Sequence, residues 1–150
     1  MPKRTFALLS IIFVLAATGF AQQKTLVRNE KARQMLLGRH KISLQWISWD
    51  YFGTATVTER KGVLYLKGRQ DGRKSTDFVS VDGVIAWIDS KEFVFQGKVV
   101  TQISHIFGGK PCTRDGESVF RITGKRKYWR MQEIDNPCDE AADYVDIYFR

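Results

Sequence analysis

The chain has 150 residues, 24 basic and 16 acidic, for a formal charge of +8; 43% of its residues are hydrophobic and 13% aromatic. That length supports one domain with one core and leaves too little for a comfortable second. The two cysteines and two histidines exclude any metal or nucleophile motif that needs several of either type close together.

The N-terminus begins with Lys3 and Arg4, continues through an apolar run from Phe6 to Ala17, and reaches Gly19, Phe20 and Ala21 before polar Gln22 and Gln23. This order predicts a secretory signal over residues 1–21, cleaved after Ala21 and read by the Sec pathway. As a helix the apolar run rises about 18 Å against a hydrocarbon core of ~30 Å, so it reads as a leader and not an anchor. No cysteine follows it, so no lipid anchor is expected. Loss of Lys3 and Arg4 takes the formal charge from +8 to +6, and the exported domain stays basic.

Residues 22–38 form an N-terminal arm. Asn29 is a helix cap, good helix formers follow it, and Gly38 is a stop, which predicts a short helix packed against the rest through Met35, Leu36 and Leu37. After Gly38 the period changes from helical to two, and residues 39–150 read as a single β-barrel domain.

Ile42, Leu44 and Trp46 alternate with Ser43, Gln45 and Ile47, a strand that leads into a turn near Gly53. Thr54 to Glu59 alternates threonine with Ala55 and Val57; Lys61-Gly62 turns the chain; Leu64 and Leu66 then share a face. Asp71-Gly72 and Asp82-Gly83 both carry the signature of tight hairpin turns. They predict separate strands over 76–81 and 84–88, with a third from Phe93. Gly97 predicts a bulge or bend in the next extended run.

Near the C-terminus, Phe120 and Ile122 alternate with Arg121, and Trp129 and Met131 with Arg130 and Gln132. These are the two strands of a hairpin. Val145, Ile147 and Phe149 make a last strand. Cys112 and Cys138 flank the hairpin. In an oxidising compartment two such cysteines are expected to form a structural disulfide, worth about 3.5 kcal/mol of unfolded-chain entropy on the loop-length model. The sum is an all-β fold: an antiparallel meander of eight or nine strands closing into a small barrel, which hides the strand edges that a sandwich would expose. Most strands are too short, and too charged on their outer row, for a transmembrane barrel, so no integral membrane protein is expected.

Two groups of residues are candidate binding elements. Arg121, Lys125, Arg126, Lys127, Tyr128 and Arg130 are a basic cluster with an aromatic in it; they form either a surface for an anionic ligand or the wet side of the hairpin. Trp46, Trp87, Phe95, Phe120 and Trp129 are expected inside the barrel, lining a small cavity or filling the core. His105 reads as a strand residue at the rim. Asp135, Asp139, Glu140, Asp143 and Asp146 read as a solvated turn that offsets Lys125, Arg126, Lys127 and Arg130, not as a calcium loop. No metal or cofactor is expected.

The stretch from Tyr128 through Gln132, Asn136, Pro137 and Cys138, with the ending Asp143 to Phe149 and the run Leu44 to Trp49, resembles a group of small secreted bacterial proteins with no assigned activity. The plan of a short helix and then a meander is similar to the lipocalin and calycin barrels. Their glycine-x-tryptophan signature falls here at Gly38-Arg39-His40, without the tryptophan, so the likeness is one of architecture and carries no function. The functional expectation is an exported, non-enzymatic protein of the periplasm or exterior that binds an anionic or amphiphilic envelope ligand, a lipid or a glycan, and no nucleic acid. The alternative is a proteinaceous inhibitor or envelope-stress factor that acts on a secreted enzyme.

Overall fold

The computed structural model describes Met1 and residues 22–150. The expected secretory leader lies, apart from Met1, outside the described residues. Among the described residues nine strands follow in order: β1 (Leu26–Val27), β2 (Gly38–Leu44), β3 (Gly53–Arg60), β4 (Val63–Asp71), β5 (Phe78–Ile88), β6 (Glu92–Gln102), β7 (Cys112–Arg121), β8 (Tyr128–Met131) and β9 (Val145–Tyr148). From β2 onward each strand pairs antiparallel with its successor, and β9 returns to β2 through Ile42↔Ile147 and Leu44↔Val145. Eight strands therefore close a barrel, and no strand of the ring is left with an unpaired edge. β1 lies outside the ring, parallel to the end of β5 at Leu26↔Trp87 and Val27↔Ile88.

Helix α1 (Glu30–Leu36) forms where expected, with the Asn29 side chain accepting the Ala32 N–H at 2.8 Å. It lays Ala32 and Leu36 into the core at the end of the barrel where β2 begins. Past the C-cap Leu37, Gly38 opens β2 at a φ of +105°, a conformation that a Cβ would resist. The arm is fastened by Thr25, whose hydroxyl donates to the Ile85 carbonyl at 2.6 Å and accepts from the Leu64 N–H at 2.9 Å.

Alternation sets the interior. Leu64 and Leu66, Val79 and Val81, Phe93 and Phe95, and Trp129 and Met131 are all buried. Phe93 and Phe120 stack at 5.0 Å, Phe95 meets Phe120 edge-on at 6.2 Å, and Trp129 joins Phe93 at 5.9 Å and Phe149 at 4.6 Å.

Three turn expectations are corrected. Asp82-Gly83 is no turn but the middle of β5, one continuous strand through the two expected ones. There Gly83 pairs with Gly97, and a Cβ on either would come within 2.8 Å of the Phe95 ring. The dipeptide serves close packing, and long-range contact overrides its local preference. Gly97 keeps register in β6; the irregularity falls in β5 instead, between Ile85 and Trp87. After Asp71-Gly72 the chain makes a longer loop, 72–77, before β5. Lys61 and Gly62, by contrast, both take positive φ (51° and 80°) and turn β3 tightly into β4.

The longer connections, 45–52, 72–77, 103–111 and 132–144, share the end of the barrel away from α1. Cys112, at the start of β7, is bridged there to Cys138, with 6.0 Å between their Cα atoms. Among the described residues no helix is long and apolar enough to cross a membrane.

Candidate functional site

Period two on β2 turns His40, Ile42 and Leu44 inward and Arg39 and Lys41 outward. Pairing with β3 sets Lys41 opposite Thr54, and pairing with β9 brings Tyr148 alongside. Lys127, on the β7–β8 connection, is held there by its carbonyl, which accepts the Phe149 N–H at 2.9 Å. Arg150 folds back over Gly38 and donates to the Gln34 carbonyl at 3.0 Å. The result is a groove of about 920 Å³ on the outer wall, open to solvent, lined by Arg39, Lys41, Lys127 and Arg150 together with Phe52 and Tyr148. Among the described residues no Asp or Glu side chain lines it, and none of the four cations is in an ion pair. Like charges gathered around one groove favour an anion between them.

Its floor is fixed. The His40 ring nitrogens lie 2.7 Å from the Leu36 carbonyl and 2.9 Å from that of Tyr148, which ties α1, β2 and β9 together. Lys41 sits over the Phe52 ring at 5.1 Å, and Phe52 meets Tyr148 edge-on at 5.0 Å. Burial holds the Tyr148 phenol above its ordinary pKa, opposed by the hydrogen bond that Ser43 donates to it at 3.2 Å.

Beyond Tyr148 the wall continues with Tyr128, 5.2 Å away, and with Arg130, which lies between Tyr128 (5.3 Å) and Tyr144 (4.4 Å). Arg130 forks onto Asp146 with two bonds of 2.7 Å, and this contact raises its pKa further above the usual arginine range.

The basic cluster expected from sequence is thus divided. Lys127 lines the groove, Tyr128 forms the wall beside it, and Arg126 lies over Tyr128 at 5.7 Å. Arg130 is committed to Asp146. Lys125 is exposed on the β7–β8 connection. Arg121 pairs with Glu92 at 2.5 Å on the β6–β7 wall and stands opposite Arg130 across the β7–β8 ladder. Of the five expected interior aromatics, Phe95, Phe120 and Trp129 come together in the packed core. Trp46 and Trp87 do not: Trp46 is 37% exposed in the turn after β2, and Trp87 lies under the Arg28 guanidinium at 4.4 Å. Arg39, Lys41, Tyr148 and Arg150 carry no such sequence expectation, although all four line the groove. The alternation Arg39-His40-Lys41 was the readable signal, since it sets two cations on one face.

The acidic turn is corrected as well. Asp143 and Asp146 are fully buried, not solvated. Asp143 accepts from Arg114 and Asn136 at 3.0 Å, from Trp46 Nε1 at 3.2 Å and from Thr101 at 3.4 Å. Asn136 in turn accepts the Cys138 N–H at 2.8 Å, so the network clamps the long-loop end beside the disulfide. Among the described residues Arg114 Nη1 is buried without a protein partner. Among the described residues no three or more His, Cys, Asp or Glu are grouped so as to hold a metal ion.

Residues 24–149 match the PM1083 family. An uncharacterised protein of Pasteurella multocida (strain Pm70), PM1083, is 45% identical over 145 residues, which cover 95% of this chain and 92% of that one. No solved structure matches.

Proposed function

The chain belongs to the PM1083 family, whose relative named above is uncharacterised, and we propose from the chain's own geometry that it is an exported, non-enzymatic binding protein that holds an anionic ligand of the cell envelope. One observation carries this reading: four cations with no Asp or Glu partner among the described residues line a single open groove together with two aromatic rings. A phosphate, carboxylate or sulfate there relieves the mutual repulsion of Arg39, Lys41, Lys127 and Arg150. Phe52 and Tyr148 supply apolar contact for whatever carries the anion. The disulfide suits an oxidising compartment.

Calorimetric titration of the protein with phosphatidylglycerol vesicles and with an acidic oligosaccharide, beside phosphatidylcholine and a neutral oligosaccharide, tests the reading. Binding to at least one anionic probe is expected to weaken with added salt and to fall about tenfold or more in the variant Lys41→Glu, Lys127→Glu. Equal binding of charged and neutral probes, or no binding to either anionic probe, would overturn it.

A second reading is supported by Trp49, 52% exposed at the tip of the 45–52 loop. A loop so placed suits insertion into the cleft of a secreted enzyme, as an inhibitor or stress factor acts. Capture of a secreted hydrolase by the protein, lost in Trp49→Ala and kept in Lys41→Glu, would favour this reading over the groove.

A further inference from the structure

The groove does not end at Tyr148. Tyr144, Arg130, Tyr128, Tyr148, Phe52 and Lys41 form a contiguous strip in which each group lies 4.4 to 5.3 Å from the next. The strip crosses β8, β9 and β2 and reaches the loop before β3, about three strand spacings, or ~14 Å. Elsewhere on the outer wall Tyr65 and Phe78 stand singly, each under an arginine. Among the described residues, the ring-to-ring contacts on this wall both involve Tyr148, with Phe52 and with Tyr128.

We propose that this strip and the adjoining groove form one extended site for an acidic oligosaccharide several sugar rings long. The inference rests on the anion-binding reading and deepens it by naming the ligand class. Each part of such a ligand has a counterpart. The C–H face of a sugar ring packs on a partly exposed aromatic ring; sugar hydroxyls meet the phenol groups of Tyr128, Tyr144 and Tyr148; carboxylates or sulfates meet Arg39, Lys41, Lys127 and Arg150. An acyl chain fits less well, because it needs an enclosed apolar slot, and this wall is open and carries phenols and guanidinium groups. Arg130 takes no ligand charge. Forked onto Asp146 and held between two rings, it is a positioning residue that keeps Tyr128 and Tyr144 in line.

The test uses the full chain and needs no variant for its first arm. Affinity is measured for oligogalacturonates of increasing length and for heparin-derived oligosaccharides, with maltooligosaccharides, phosphatidylglycerol vesicles and a single-stranded oligothymidine as comparisons. Affinity for the acidic glycans is expected to rise about tenfold or more from monomer to tetramer and then to level off. Tyr144→Ala is expected to weaken the tetramer about three- to tenfold and the monomer far less, with Tyr144→Phe close to the parent. Unchanged thermal unfolding confirms that the variants fold. If the tetramer binds no tighter than the monomer while Lys41→Glu still abolishes binding, the extended site is wrong and the groove reading stands. If no anionic probe binds, both fall. Tighter binding of the vesicles or of oligothymidine than of any acidic glycan would overturn the glycan assignment.

Discussion

Replacing Asp143 by alanine tests whether the long-loop end is held by charge. The carboxylate is fully buried and takes four hydrogen bonds, and the Arg114 side chain that faces it is only 10% exposed, with no protein partner for Nη1 among the described residues. Without Asp143 the guanidinium remains in the interior with no counter-charge, a change that costs about 3–5 kcal/mol. Against a total of ~5–15 kcal/mol for a small domain, that lowers the melting temperature by about 10–20 °C. Arg114→Met removes the stranded charge, so the double variant should be more stable than the sum of the two single losses allows, with a coupling of about 1–3 kcal/mol. Urea unfolding of the four proteins, disulfide intact, measures both quantities. A loss below about 1 kcal/mol for Asp143→Ala, or a coupling near zero, would refute the claim that these two groups depend on each other.

Gly97→Ala should destabilise by about 2 kcal/mol or more, since its Cβ would fall 2.3 Å from the Asp82 carbonyl oxygen and 2.7 Å from the Phe95 ring; chemical denaturation checks this. Folded Tyr148 keeps its proton above the pH at which an unfolded tyrosine ionises, near 10. Its contribution is therefore complete below that pH and is lost as pH rises through the folded value, so Tyr148→Phe should flatten the alkaline fall in stability measured from about pH 9 to 11. Replacing both Cys112 and Cys138 by alanine should remove about 3.5 kcal/mol, visible as a lower urea midpoint that no longer responds to a thiol reductant.

Strands were legible wherever alternation was clean, as at Leu64 and Leu66 or Trp129 and Met131, because burial on one face leaves a mark every second residue. Asp82-Gly83 misled because a turn dipeptide and a close strand crossing both call for glycine, and only the position of Phe95 tells them apart. The groove was harder still. Arg39 and Lys41 lie near the start of the barrel sequence and Tyr148 and Arg150 at its end, and no local pattern announces that β9 will dock on β2. Trp46 illustrates the same limit: its alternation with Gln45 and Ile47 suggested a strand, but its indole N–H is drawn to a carboxylate 97 positions later.

The docking of β9 on β2 also orders events in time. Neighbouring strands can zip together as soon as both exist, whereas this final seam joins segments about a hundred residues apart and must await nearly the whole chain, a slow, non-local step. Since both sides of that seam contribute to the cationic groove, the groove is complete only once the ring has shut.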